Sequence, residues 1–137
     1  MRVVCLDIGE RRIGVAVSDL LDLTAQGVET IWVKGMEKDC ARIEEICRQY
    51  ETTHILCGLP LNMDGTLGGQ AQKAQDFGRV LEEKQGLTVF YQDERMTTVT
   101  AENVLIGGNV RREDRKLYVD KLAAAVILEQ WLASQQK

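Results

Sequence analysis

Apolar and polar positions along the chain fall into two rhythms. Val3 to Ile8 is an almost continuous apolar run, the pattern of a strand buried on both faces. A short polar break, Gly9-Glu10-Arg11-Arg12, separates it from the β-branched run Ile13 to Val17, and the pair predicts a hairpin. Leu23 to Val33 predicts a weaker third strand, with Gly27 as a bulge. The period then changes. Met36 to Tyr50 sets Ile43, Ile46, Cys47 and Tyr50 at helical spacing between charged residues. Ile55 to Leu59 is a short strand stopped by Pro60, and Asn62-Met63-Asp64-Gly65 is a turn signal. Gln70 to Lys84 predicts a helix ended by Gly86, and Leu87 to Tyr91 a fifth strand. Thr97 to Ile106 predicts a helix with a threonine N-cap and Gly107-Gly108 as its stop. The last helix is expected from about Glu113 to Ala133. Three strands followed by strand–helix alternation imply an α/β fold: a five-stranded mixed sheet with helices on both faces.

The 137 residues fit one domain spanning 1–137 and need no disulfide or metal staple to fold. The apolar runs reach about seven residues, short of the roughly 20 a membrane span requires, and the opening residues lack a signal-peptide pattern. The expected location is cytoplasmic, with no membrane partner. Cysteines stand at 5, 40, 47 and 57, without a Cys-x-x-Cys pair, and His54 is the single histidine. These spacings do not compose a common zinc set. Cys5 and Cys57 read as small core residues. Cys40 and Cys47 lie about two turns apart on a helix, too far to bond. All four are expected to be structural or inert, and His54 reads as a packing or capping residue at a strand start.

The net charge is −4, which argues against a protein that coats nucleic acid through bulk positive charge. Bases nonetheless cluster. Arg11 and Arg12 lie in the first turn, and Arg95 follows the fifth strand. Arg111, Arg112, Arg115 and Lys116 precede or open the last helix, and residues 111–121 hold five bases against three acids. This run reads either as a phosphate-binding patch or as a solvated helix start with internal ion pairs. The seven aromatic residues show no stacking pattern in sequence, so base stacking is not expected.

Three acids occupy unexpected places. Asp7 interrupts an apolar strand, where a carboxylate is costly unless paired, and Gly9 just beyond it would let a ligand approach the backbone. Glu94 sits at the carboxyl end of the fifth strand, where ligand sites of open α/β sheets gather. Asp120 shares a helical stripe with Leu117, Ala124, Ile127, Leu128 and Trp131, where an apolar residue is expected. Each has a plain alternative: an arginine-paired core acid, a solvated turn, or a boundary acid beside Lys121. Inward carboxylates without an inward base repel when ionised. A hard cation, Mg²⁺ or Mn²⁺, resolves that conflict and suits phosphodiester hydrolysis.

Four motifs in order carry a resemblance that covers essentially the whole chain. They are Leu6-Asp7-Ile8-Gly9 with Arg12 to Asp19, Gly58-Leu59-Pro60-Leu61-Asn62-Met63-Asp64-Gly65, Asp93-Glu94-Arg95-Met96-Thr97-Thr98, and Asp120-Lys121-Leu122-Ala123-Ala124. Together they resemble the bacterial YqgF family, described as pre-16S rRNA nucleases and earlier as Holliday-junction-resolvase-like. The resemblance implies an RNase H-like fold. It implies that Asp7, Glu94 and Asp120 form a catalytic, metal-binding acidic site, and it puts Asn62 near that site. It implies hydrolysis of structured nucleic acid, above all trimming of the 5′ end of the 16S rRNA precursor. The chain departs from the pattern at Glu10, at Leu67 and Gly69 after the Asp-Gly turn, and at Glu113 and Asp114.

Arg11, Arg12, Asn62, Arg95, Arg111, Arg112 and Lys116 are the candidate nucleic-acid contacts. The expected partner is structured RNA, free or within a ribosomal particle, bound by a monomer or weak dimer. A four-way DNA junction is the alternative substrate, and it favours a twofold dimer. A non-catalytic ribosome-assembly module is a further alternative, though the chain keeps all three acids. An ATP-binding domain of the actin and sugar-kinase type shares the first turn but needs two such domains around a cleft.

Overall fold

A computed structural model describes residues 2–19, 24–61, 64–93 and 112–135, with the backbone alone for 112–120. Its elements are β1 (Val4–Ile8), β2 (Arg12–Ser18), β3 (Ala25–Trp32), α1 (Met36–Gln49), β4 (His54–Leu59), α2 (Gly69–Gln85), β5 (Thr88–Asp93) and α3 (Arg112–Gln135). The expected strands and described helices are all present, with ends within about two residues of the sequence reading. The expected helix at Thr97 to Ile106 falls outside the described residues.

The strands form one sheet in the order β3-β2-β1-β4-β5. β1 to β3 run antiparallel, whereas β4 and β5 run parallel to β1. The register slips between β2 and β3: Val15 faces Glu29 while Ala16 faces Gly27, so Val28 is the extra residue beside the glycine that signalled a bulge.

Alternation in β1 divides the core between two faces. Val4, Leu6 and Ile8 pack with Ile43 and Ile46 of α1 and with Phe77 and Leu81 of α2. Val3 and Cys5 point the other way, into a cluster with Ala16, Leu56, Ala124, Ile127 and Leu128, under α3. Small residues let α3 come close. A Cβ added to Gly27 would stand 3.0 Å from Lys121 Cβ. α2 ends on Gly86, whose positive φ of 69° suits a residue without a Cβ. Cys5 and Cys57 are buried, as expected of core residues, and Cys40 and Cys47 on α1 are buried as well. His54 stacks on Phe90, which in turn meets Trp131.

Candidate active site

The site is built around Asp7. It follows Val3 and Cys5 at the two-residue repeat of β1, so its side chain belongs to the α3 face, near the carboxyl end of the central strand. Unlike Val3 and Cys5 it is only partly buried. Gly14 on β2 is its cross-strand partner. On the other side, Leu6 pairs with Cys57 of β4, and the next residue there is Gly58. Both glycines are buried and carry no side chain, which leaves room around the carboxylate. Gly58 in turn pairs with Gln92 of β5, and Leu59 with Asp93, the residue before Glu94. The parallel strands therefore bring the carboxyl ends of β1, β4 and β5 side by side.

The turn after β1 is tightly held. Gly9 N–H donates to the Arg12 carbonyl at 2.9 Å, and a Cβ on Gly9 would lie 2.9 Å from that same oxygen. Only glycine fits without a shift. Lys73 on α2 reaches the same turn, with its Nζ 3.4 Å from the Gly9 carbonyl and 3.5 Å from that of Glu10. Gly9, Glu10, Arg11, Arg12 and Gln70 line a shallow depression beside it. Arg11 is exposed there, and the Arg12 guanidinium lies over the Trp32 ring, 5.6 Å from its centroid.

The described half of the turn signal after β4 is Asp64-Gly65. Asp64 Oδ1 accepts from the Thr66 backbone N–H at 3.0 Å and from the Thr66 hydroxyl at 2.7 Å, and Gly65 takes a φ of 87°. α2 then starts from Gly68 with no side-chain cap. Asn62, Glu94, Arg95 and Arg111 lie outside the described residues. Arg112, Lys116 and Asp120 fall on the backbone of α3. Asp120 is one helical turn before Ala123 and Ala124, both buried against the sheet. Among the described residues, no three His, Cys, Asp or Glu side chains stand together as a metal cage.

Sequence reasoning passed over two groups near this site. Lys73 belongs to an amphipathic helix pattern and signals nothing by itself. Trp32 closes β3, and its cross-strand pairing with Arg12 depends on the bulge register.

This arrangement is the RNase H-like α/β fold of RuvC-type resolvases. *Thermus thermophilus* RuvC in complex with a Holliday junction substrate superposes with a TM-score of 0.61 at 17% identity, covering 99% of this chain and 96% of that one. The fowlpox virus Holliday junction resolvase gives 0.59 at 15% identity, covering 98% and 99%. At sequence level the description sharpens. The chain belongs to the family described as RuvX, Holliday junction resolvase, which it matches over residues 1–134. A *Heliobacterium modesticaldum* protein named "Putative pre-16S rRNA nuclease" is 47% identical over 96% of this chain and 89% of its own length. A *Clostridium tetani* protein of the same name is 46% identical over 98% and 97%. The chain is accordingly a nuclease by family. No described helix is long and apolar enough to cross a membrane.

Proposed function

We propose that residues 1–137 form one nuclease domain. In it Asp7, Glu94 and Asp120 hold a divalent cation, Mg²⁺ or Mn²⁺, and hydrolyse a phosphodiester bond in structured RNA at the 5′ end of the 16S rRNA precursor. The observation that carries this reading is the place of Asp7: a carboxylate at the carboxyl end of the central strand, between two buried glycines, in a chain of this family. Its oxygens are hard donors of the kind such cations take. The described residues supply only this one member of the set, and Glu94 and Asp120 complete it. When bound, the cation supplies charge stabilisation at the leaving oxygen and makes water a better nucleophile at neutral pH.

The chain's own groups bind and orient the substrate. Arg11 and Arg12 sit at the turn beyond Asp7, and Lys73 adds a third cation beside it. Asn62, Arg95, Arg111, Arg112 and Lys116 are assigned further contacts to the nucleic acid. With a net charge of −4, grip on free RNA is modest, which favours action on a ribosomal particle in the cytoplasm. The proposed working unit is a monomer or weak dimer.

The family description supports a second substrate, a four-way DNA junction. A cleavage assay with Mn²⁺ or Mg²⁺ decides between them, offering RNA with the 16S 5′ leader beside a four-way DNA junction. RNA cleavage that is lost in Asp7→Asn supports the first reading. Paired cuts in the junction move the assignment to DNA. Cleavage that survives in Asp7→Asn overturns the acidic site itself.

A further inference from the structure

We propose that Trp32, backed by Arg12, is a stacking seat for an unpaired nucleobase of the substrate, an inference that rests on the nuclease reading above. Trp32 is 54% exposed and belongs to neither buried cluster. A tryptophan left open at the end of an edge strand is unusual, since such edges are ordinarily blunted with charge.

Its orientation follows from the register. Ile31 packs into the α1–α2 core, so its neighbour Trp32 points to the opposite face, the one that carries Asp7. The cross-strand partner Arg12 lies on that face too, and its guanidinium covers the indole. From Asp7, the indole-bearing position is two strands across and one side-chain repeat along, a separation of about 12 Å. The Val33 backbone N–H donates to the Arg11 carbonyl at 2.8 Å and ties the end of β3 to the turn beside the site.

The surroundings favour an anionic ligand. Exposed Lys34 and Lys38 stand at the same end of the β3 edge, in a depression on the α1 side of the sheet that Trp32 also borders. The two acids there are already engaged: Glu29 with Arg42, and Asp39 with the backbone N–H groups of Lys34 and Gly35. A flat aromatic face backed by a guanidinium, with lysines along the neighbouring strand edge, is a way to hold a base of a single strand with little sequence preference. The substrate class thereby narrows to nucleic acid with an unpaired nucleotide within about 12 Å of the scissile phosphate.

The test is fluorescence titration of the full chain carrying Trp131→Phe, so that Trp32 alone reports, in a chelator that prevents cutting. The probes are a single-stranded RNA oligonucleotide and a blunt duplex of equal length. Saturable quenching by the single strand and little by the duplex is expected. Trp32→Ala, checked for an unchanged melting temperature and titrated by the anisotropy of a fluorophore on the strand, should weaken single-strand affinity by about fivefold or more, and Trp32→Phe should restore it to within about twofold. No quenching, equal quenching by the duplex, or unaltered affinity in Trp32→Ala would overturn the seat. Because the titration needs no catalysis, quenching by an enzyme that cuts neither RNA nor junction would leave the seat standing and sink the nuclease reading instead.

Discussion

Gly27 on β3 and Lys121 on α3 touch where any side chain on the strand would intrude: a Cβ at 27 would stand 3.0 Å from Lys121 Cβ and 3.6 Å from the Lys121 carbonyl oxygen. The contact fixes the height of α3 above the sheet one residue after Asp120. It also explains why the β3 bulge carries a glycine.

Enlarging that position should lift the helix. Gly27→Val is expected to cost about 1–3 kcal/mol by overpacking, with a larger fall in nuclease activity than the stability loss alone produces at the assay temperature. Urea denaturation and turnover, measured together, check it. A valine variant with parental stability and activity would show that α3 yields at no cost.

Lys73 should act through its charge. Its contacts to the Gly9 and Glu10 carbonyls are long and solvent-accessible, so Lys73→Met should change stability by no more than about 0.5 kcal/mol. Substrate affinity should drop, and the slope of log affinity against log salt should become shallower by about one. An unchanged slope would make Lys73 a brace for the turn and nothing more.

The buried thiols give a pH dependence with a definite sign. Burial, reinforced by Asp39 next to Cys40 and by Glu44 near Cys47, raises both from 9.0 to about 11. The fold therefore holds them protonated. Their contribution to stability is complete below about pH 9 and is lost as pH rises toward about 11, where the unfolded chain has already released its protons. Cys40→Ala/Cys47→Ala should be less stable at neutral pH, with a flatter decline over that interval. At neutral pH a chromogenic disulfide reagent should label these two thiols in the native protein only at the rate of unfolding. Rapid native labelling would contradict their burial.

Metal linkage tests the acidic site without a substrate. Mn²⁺ is expected to raise the melting temperature of the parent protein. Asp7→Asn should melt higher than the parent in chelator, because one repelling charge is gone, and should lose the Mn²⁺ response. A parent protein indifferent to Mn²⁺ would separate these carboxylates.

Most of the fold was legible in the sequence because its elements are long for their kind and cleanly punctuated. The unbroken apolar run around Cys5 and Leu6 marked β1 as central, and Pro60 and Gly86 marked ends that the structure keeps. Asp7 stood out because a carboxylate in such a run demands an explanation. Gly14 and Gly58 did not, since a buried glycine beside an acid is visible only once the strands are in register. Trp32 was hidden for a related reason. In sequence it is a lone aromatic at a strand end, and its pairing with Arg12, 20 residues earlier, follows from a one-residue slip at Val28. Lys73 required knowing that α2 passes over the first turn.

The way α3 covers the sheet has a consequence for synthesis. All five strands and both helices of one core are specified by residue 93, yet the cover that the described residues give the opposite face, with Val3, Cys5, Ala16 and Leu56, comes only when 112–135 is made. At ordinary elongation speeds that interval lasts about two to eight seconds. During it the nascent chain presents a half-clad apolar surface, the kind that chaperones bind and that aggregates when released early. The face that carries Asp7 is thus the last to be enclosed, and a chain cut short before α3 is more prone to stick than to cut.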